Sequence, residues 1–202
     1  MTTNDAASQE TGKSIRKWII FGAVVFLFTV ILVSGFNVGL ESTNTTEFCT
    51  SCHSMQVNLK ELQESKTHWN NRSGVHAGCP NCHVPKSFWP KMQAKIMASK
   101  DLFHEIMGTT NTPEKYEAHR QAMAENVWAK MKETDSRECR GCHSFQHMSF
   151  TEQSRSARKK HEGASERGQT CIDCHKGLVH KMPDAPTSED EGDGGKPASK
   201  EK

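Results

Sequence analysis

The chain has 202 residues, with 26 Lys and Arg against 24 Asp and Glu, a formal net charge of +2 and 34 % hydrophobic residues. Near-balanced charge excludes a nucleic-acid binder that works through bulk electrostatics. Outside one N-terminal apolar block the sequence is too polar for a large aliphatic core, whereas its 8 Cys and 11 His exceed what a generic soluble domain uses.

Residues 1–17 form a polar N-terminal tail, and no charged residue occurs from Trp18 to Leu40. As a helix that run spans about 34 Å, enough to cross the hydrocarbon core of a bilayer. A cleaved signal peptide has a shorter apolar region followed by a small-residue A-x-A site. Here the run continues into Ser34-Gly35-Phe36-Asn37 without one, so it reads as a retained anchor over residues 18–40. Lys13, Arg16 and Lys17 precede it, and Glu41 and Glu47 follow. The positive-inside rule therefore puts the N-terminus in the cytoplasm and the rest of the chain outside, in the periplasm of a bacterium with a single-pass inner-membrane protein.

The eight cysteines form four C-x-x-C pairs, Cys49/Cys52, Cys79/Cys82, Cys139/Cys142 and Cys171/Cys174. Each is followed at once by a histidine: His53, His83, His143 and His175. C-x-x-C-H is the attachment motif of c-type haem, in which two thioethers hold the porphyrin and the histidine lies under the iron. Zinc ribbons also use C-x-x-C, but do not require His directly after it. At this chain's histidine frequency, four such placements arise by chance about once in 10⁵. A thioredoxin-like site needs one such motif beside a βαβ pattern, which is absent, and a disulfide scaffold would not repeat this spacing with His attached. The expected cofactors are thus four covalently bound haem c groups, which also stand in for the missing aliphatic core.

First cysteines follow one another at 30, 60 and 32 residues. This reads as two dihaem units, about 41–85 and 137–183, joined by a longer connector. In the connector, Trp89, Met92, Ile96, Phe103 and Ile106/Met107 recur at helical spacing over 88–107, and Gly108 ends the run. Thr112-Pro113-Glu114 then supplies an N-cap, a proline in the first turn and an acidic start for a second helix to about Lys132. Tyr116, Met123, Val127 and Met131 lie on one side of it, and these apolar stripes are expected to pack in the core or on haem edges. No strand pattern is visible. The expected architecture is mostly α with irregular haem-nucleated segments: one transmembrane helix and a compact tetrahaem domain over 41–183. The tail at 184–202, rich in Pro, Gly, Ser and charge, is expected to be disordered.

A six-coordinate haem needs a distal ligand, usually His or Met. Seven histidines lie outside the motifs, and His68, His161 and His180 are the favoured candidates. His68 and His161 each precede a motif by about ten residues, and His180 closely follows the last one. In the first motif, Cys49-Thr50-Ser51-Cys52-His53-Ser54-Met55, either His53 binds and Met55 packs, or Met55 replaces His53.

The stretches GFNVGLESTNTTEFCTSCHSM, NNRSGV at 70–75, CPNCHVP at 79–85, KIMASKDL at 95–102, TPEKYEAHR at 112–120, CRGCHSF at 139–145 and TCIDCHKGLVHKMPD at 170–184 resemble the NapC/NirT family of membrane-anchored tetrahaem quinol dehydrogenases. The likeness covers about residues 35–184. It implies quinol oxidation at haem 1 beside the membrane and delivery of electrons to a periplasmic reductase or its cytochrome subunit. Nitrate reductase is the first expected partner and nitrite reductase the next; the donor is menaquinol or ubiquinol. It further implies Met55 as haem 1 ligand, Asp101 at the quinol site, and His68, His161 and His180 as distal ligands. His119 and Lys86 stand where other relatives place a fourth. Lys91, Lys95 and Lys100 recur along the Asp101 helix and could hold a quinol oxygen or anionic lipid headgroups. Cys49 lies nine residues beyond Leu40, within about 30 Å of chain from the bilayer. A tethered electron relay without its own quinol site is the competing expectation.

Overall fold

The structure, a computed structural model, describes residues 3–164 and 166–183. The expected disordered tail at 184–202 lies outside them. Among the described residues there are helices, turns and no strands, and the chain divides into two units at Phe48/Cys49.

The first unit is dominated by α1 (Thr3–Ser42). Its segment Ser14–Ser42 is long and apolar enough to cross a membrane. Phe21, Phe28 and Ile31 are each exposed, as a lipid-facing helix requires. Thr29 and Asn37 return their side-chain donors to the carbonyls four residues back, Val25 and Val33, so neither leaves a bare polar group on that surface. The helix is longer at both ends than the apolar run alone indicates.

The second unit carries the motifs. After α2 (Thr46–Cys49), which reaches into it, come α3 (Met55–Glu64), α4 (Cys79–His83), α5 (Phe88–Ile106), α6 (Pro113–Glu133), α7 (Arg137–Arg140), α8 (Arg155–Glu162) and α9 (Cys171–Cys174). The two connector helices form where the pattern places them. Gly108 ends the first in the left-handed region, with φ +73°, a conformation that costs glycine little. Thr112 caps α6 by accepting the Lys115 N–H at 3.4 Å.

Aliphatic packing is sparse. Among the described residues only Leu62, Tyr116 and Ile172 are buried apolar side chains. The packing of α6 on α9 is organised instead around Ser136, which is fully buried and left-handed with φ +49°. Its Oγ lies 2.6 Å from Thr170 Oγ1 and accepts the Ile172 N–H at 3.1 Å. Lys132 closes the same contact through Asp173 at 2.8 Å. Of the two packings expected for the α5 stripe, protein core or haem edge, the first is corrected: Trp89, Ile96, Phe103, Ile106 and Met107 enter no protein core and only Met92 is half-buried. The buried protein interior is too small to cover a 19-residue helix.

Candidate haem-iron centres

Three of the motifs are shaped by one device, a single helical turn. In α9, Asp173 accepts the Thr170 N–H at 2.9 Å, and in α4 Asn81 accepts the Gly78 N–H at 2.8 Å. These caps satisfy donors that a short helix leaves bare. The turn continues into the histidine: the His143 N–H bonds the Cys139 carbonyl at 2.8 Å and the His175 N–H bonds the Cys171 carbonyl at 2.9 Å. Residues i, i+3 and i+4 share a helix face, so both thiols and the imidazole are presented together. All eight cysteines are half-buried or exposed.

Consecutive motifs adjoin. The Cys49 thiol is hydrogen-bonded to Cys79, and that bond, reinforced by burial, pushes it up while the Lys95 charge pulls it down. Burial raises the Cys82 thiol, helped by Cys139 and Cys142. Burial raises Cys139, helped by Cys171. The α4 turn packs directly on α7. The four attachment points therefore follow one another in space in chain order.

Long-range pairing of the imidazoles is the most informative geometry. His68 faces His143 with ring centres 6.3 Å apart. His83 faces His180 at 6.2 Å, and His161 faces His175 at 5.9 Å. An imidazole nitrogen bonds a transition metal at about 2 Å and lies about 1.1 Å from its ring centre, so two imidazoles across one iron stand about 6.2 Å apart. The donor set thus fits three bis-histidine irons. Each pair joins one motif histidine to one of the three favoured distal candidates. His68 is near its following motif in sequence, yet it faces the third motif. Imidazole must be neutral to ligate. Protein atoms crowded around His83, with the charge of His180, hold its ring down to about 4, although part of the ring reaches the surface. Burial, then His143, lowers His68. Burial lowers His180 against the opposing pull of Glu61.

Each distal candidate turns Nδ1 toward a protein oxygen. The oxygen is Thr67 Oγ1 at 3.0 Å for His68 and Gln153 Oε1 at 2.7 Å for His161. For His180 it is Glu61 Oε2 at 3.4 Å. None of these three oxygens was legible beforehand; Glu61 is separated from His180 by more than half of the unit, and no local pattern marks it.

The first motif differs. Among the described residues no imidazole faces the exposed His53. Met55 begins α3, and its Sδ accepts from Asn58 Nδ2 at 3.5 Å. Asn58 Oδ1 in turn accepts from Tyr116 Oη at 2.7 Å. His119 is exposed on α6 with Nδ1 2.8 Å from the Lys115 carbonyl, and Lys86 reaches toward Gly141 inside the third motif. Asp101 lies on α5, where crowding raises its carboxyl above the ordinary 3.8 against the opposing charges of His104 and Lys100. Lys91 and Lys95 are half-buried and Lys100 is exposed on the same helix. Among the described residues no three His, Cys, Asp or Glu side chains converge as a zinc site requires.

Several known proteins resemble this chain over most of its length. The sequence profile of the NapC/NirT cytochrome c family, N-terminal region, matches residues 12–185. A protein of Allochromatium vinosum described as "Putative tetraheme cytochrome-c type" is 47 % identical over 180 residues, 89 % of this chain and 97 % of that protein. "Cytochrome c-type protein NapC" of Escherichia coli K12 is 51 % identical over 159 residues, 79 % of this chain and 80 % of that protein. "Denitrification system component NirT" of Stutzerimonas stutzeri is 49 % identical over 162 residues, 80 % and 81 % of the two chains. No solved structure matches. With the profile spanning most of its length and these relatives about half identical over most of theirs, the chain belongs to the NapC/NirT cytochrome c family.

Proposed function

We propose that this protein is a membrane-anchored tetrahaem quinol dehydrogenase of the bacterial inner membrane. It would take electrons from menaquinol or ubiquinol at haem 1 and pass them to a periplasmic reductase, a nitrate reductase in the first place and a nitrite reductase in the second. The observation that carries the reading is the inequality of the four motifs. His83, His143 and His175 each have a facing imidazole, whereas the first motif has Met55 and no facing imidazole among the described residues. Three haems are built for electron transfer alone, and one is built differently.

In this reading the paired cysteines Cys49 to Cys174 hold the haems, and His83 with His180, His143 with His68, and His175 with His161 ligate the irons of haems 2, 3 and 4. Met55 is the ligand of haem 1. When bound, the four haems supply one-electron carriers by which a two-electron donor is oxidised stepwise. The chain's own residues handle the substrate and its protons. Asp101, whose carboxyl is raised by crowding, accepts a proton from the quinol hydroxyl at Oδ. Lys95, whose charge reaches Cys49, marks α5 as the helix beside haem 1. The exposed apolar residues of α5, Trp89 and Phe103 among them, suit a lipid-soluble substrate, and Lys91 and Lys100 suit its oxygens or anionic headgroups. Arg16 and Lys17 before the apolar run, with Glu41 and Glu47 after it, support a cytoplasmic N-terminus and a periplasmic haem domain.

The test is anaerobic mixing of the detergent-solubilised holoprotein with a reduced quinol analogue, following haem absorbance. Rapid reduction that slows by at least about tenfold in Asp101→Asn and is lost in Met55→Leu supports the reading. A protein reducible by dithionite and by no quinol is instead a tethered relay whose donor is another protein.

A further inference from the structure

The three distal imidazoles are backed by chemically different oxygens. His68 has a hydroxyl, Thr67, and His161 has a neutral carboxamide, Gln153. His180 alone has a carboxylate, Glu61. Its Nδ1 is buried without a hydrogen-bond partner, and the carboxylate oxygen Glu61 Oε2 lies 3.4 Å from it.

Glu61 is itself anchored. Arg120 grips it with both terminal nitrogens, Nη2 to Oε1 at 2.7 Å and Nη1 to Oε2 at 3.2 Å. The same guanidinium donates to both oxygens of Glu117, at 2.6 and 2.7 Å. The pair also holds the backbone next to the imidazole: the Lys181 N–H donates to Glu61 Oε2 at 3.1 Å and the Lys181 carbonyl accepts from Arg120 Nη1 at 3.3 Å. Arg120 and Glu61 side chains are 7 % and 15 % exposed. Two carboxylates, Glu61 and Glu117, share this one guanidinium, and the Lys181 charge also acts on Glu117; Glu61 is the carboxylate beside the ring.

We propose that Glu61, locked by Arg120, is the positioning residue of the His180 ligand, and that it gives haem 2 the lowest reduction potential of the three bis-histidine haems. This rests on the ligand pairing given above. A carboxylate accepting from Nδ1–H fixes the tautomer that presents Nε2 to the metal, and it makes the imidazole a stronger donor. A stronger, more anionic ligand favours the higher oxidation state of the metal. A neutral amide does this less, and a hydroxyl, itself able to donate, least. Haem 2, whose attachment turn adjoins that of haem 1, would then be the uphill step that an electron meets first.

The experiment is spectropotentiometric titration of the full-length holoprotein in detergent, with electron paramagnetic resonance to count bis-histidine low-spin haems. In Glu61→Gln one low-spin component should move to higher potential by about tenfold in its redox equilibrium, 59 mV for one electron. Gln153→Glu should move a different component the opposite way. Arg120 keeps Glu117 in the first variant. Should that variant yield no holoprotein, Glu61→Asp, which withdraws the charge by one methylene, should give a smaller shift in the same direction. Unchanged potentials in the Glu61 and Gln153 variants, with three low-spin signals retained, would overturn the proposal. A His180→Ala protein that keeps all three low-spin signals would overturn the ligand pairing instead.

Discussion

Replacing Arg120 with alanine is the most severe single perturbation that the charge network offers. Arg120 is nearly buried, and it makes two hydrogen bonds to the mostly buried Glu61 and one to the Lys181 carbonyl. Removing one partner of a buried ion pair strands the other and costs about 3–5 kcal/mol. The Glu117 arm adds at most about 1 kcal/mol, because that carboxylate is 48 % exposed and screened. At a urea dependence of about 2 kcal/mol per M, Arg120→Ala should lower the unfolding midpoint of the holoprotein by about 2 M, followed by far-UV circular dichroism. Glu117→Gln should lower it by less than about 0.5 M. The double variant Arg120→Ala/Glu61→Gln should regain at least half of the loss, because the stranded charge is gone. Equal midpoints for Arg120→Ala and Glu117→Gln would refute the reasoning. There is also an acid signature. Hydrogen bonding to Arg120 holds the Glu117 carboxyl below its ordinary 4.5. Its stabilising contribution is therefore present above that value and is lost as pH falls through the folded one. The difference between wild type and Glu117→Gln should shrink accordingly below about pH 4.5.

Further outcomes follow from the same structure. His68→Ala, His161→Ala and His180→Ala should each convert one low-spin haem to high-spin and leave the others, whereas His119→Ala should leave the spectrum unchanged; a fourth low-spin signal lost in His119→Ala would contradict the pairing. Ser136→Ala deprives the Ile172 N–H and Thr170 Oγ1 of their partner and should cost about 1–3 kcal/mol. Ser136→Gly should cost less than the alanine variant, since glycine holds φ +49° without strain, and an alanine variant as stable as wild type would remove Ser136 from its pivotal role. Tyr116→Phe, which frees Asn58 and through it Met55, should cost about 1 kcal/mol and shift the haem 1 spectrum alone.

The cofactor, the anchor and the helices were all legible in the sequence, because each is a local signal. Two thiols and an imidazole at i, i+3 and i+4 need only one helical turn, a membrane helix needs only its own apolar length, and Thr112 and Gly108 mark helix ends through their own backbone bonds. His68, His161 and His180 were also visible as candidates, since each lies close to a motif along the chain. Their pairing was not. His68 joins His143 rather than the motif it precedes, and His180 returns to His83 across most of the unit, because those matches depend on how the short helices pack. For the α5 stripe, helical periodicity reports which residues share a face, not whether protein or a haem edge lies against it. Glu61 and Gln153 left no mark in the sequence, and Arg120 stood there only as part of the TPEKYEAHR stretch, with no role attached. A buried carboxylate acquires its role only when tertiary packing removes water and brings an arginine and an imidazole to it, and neither partner is its neighbour along the chain.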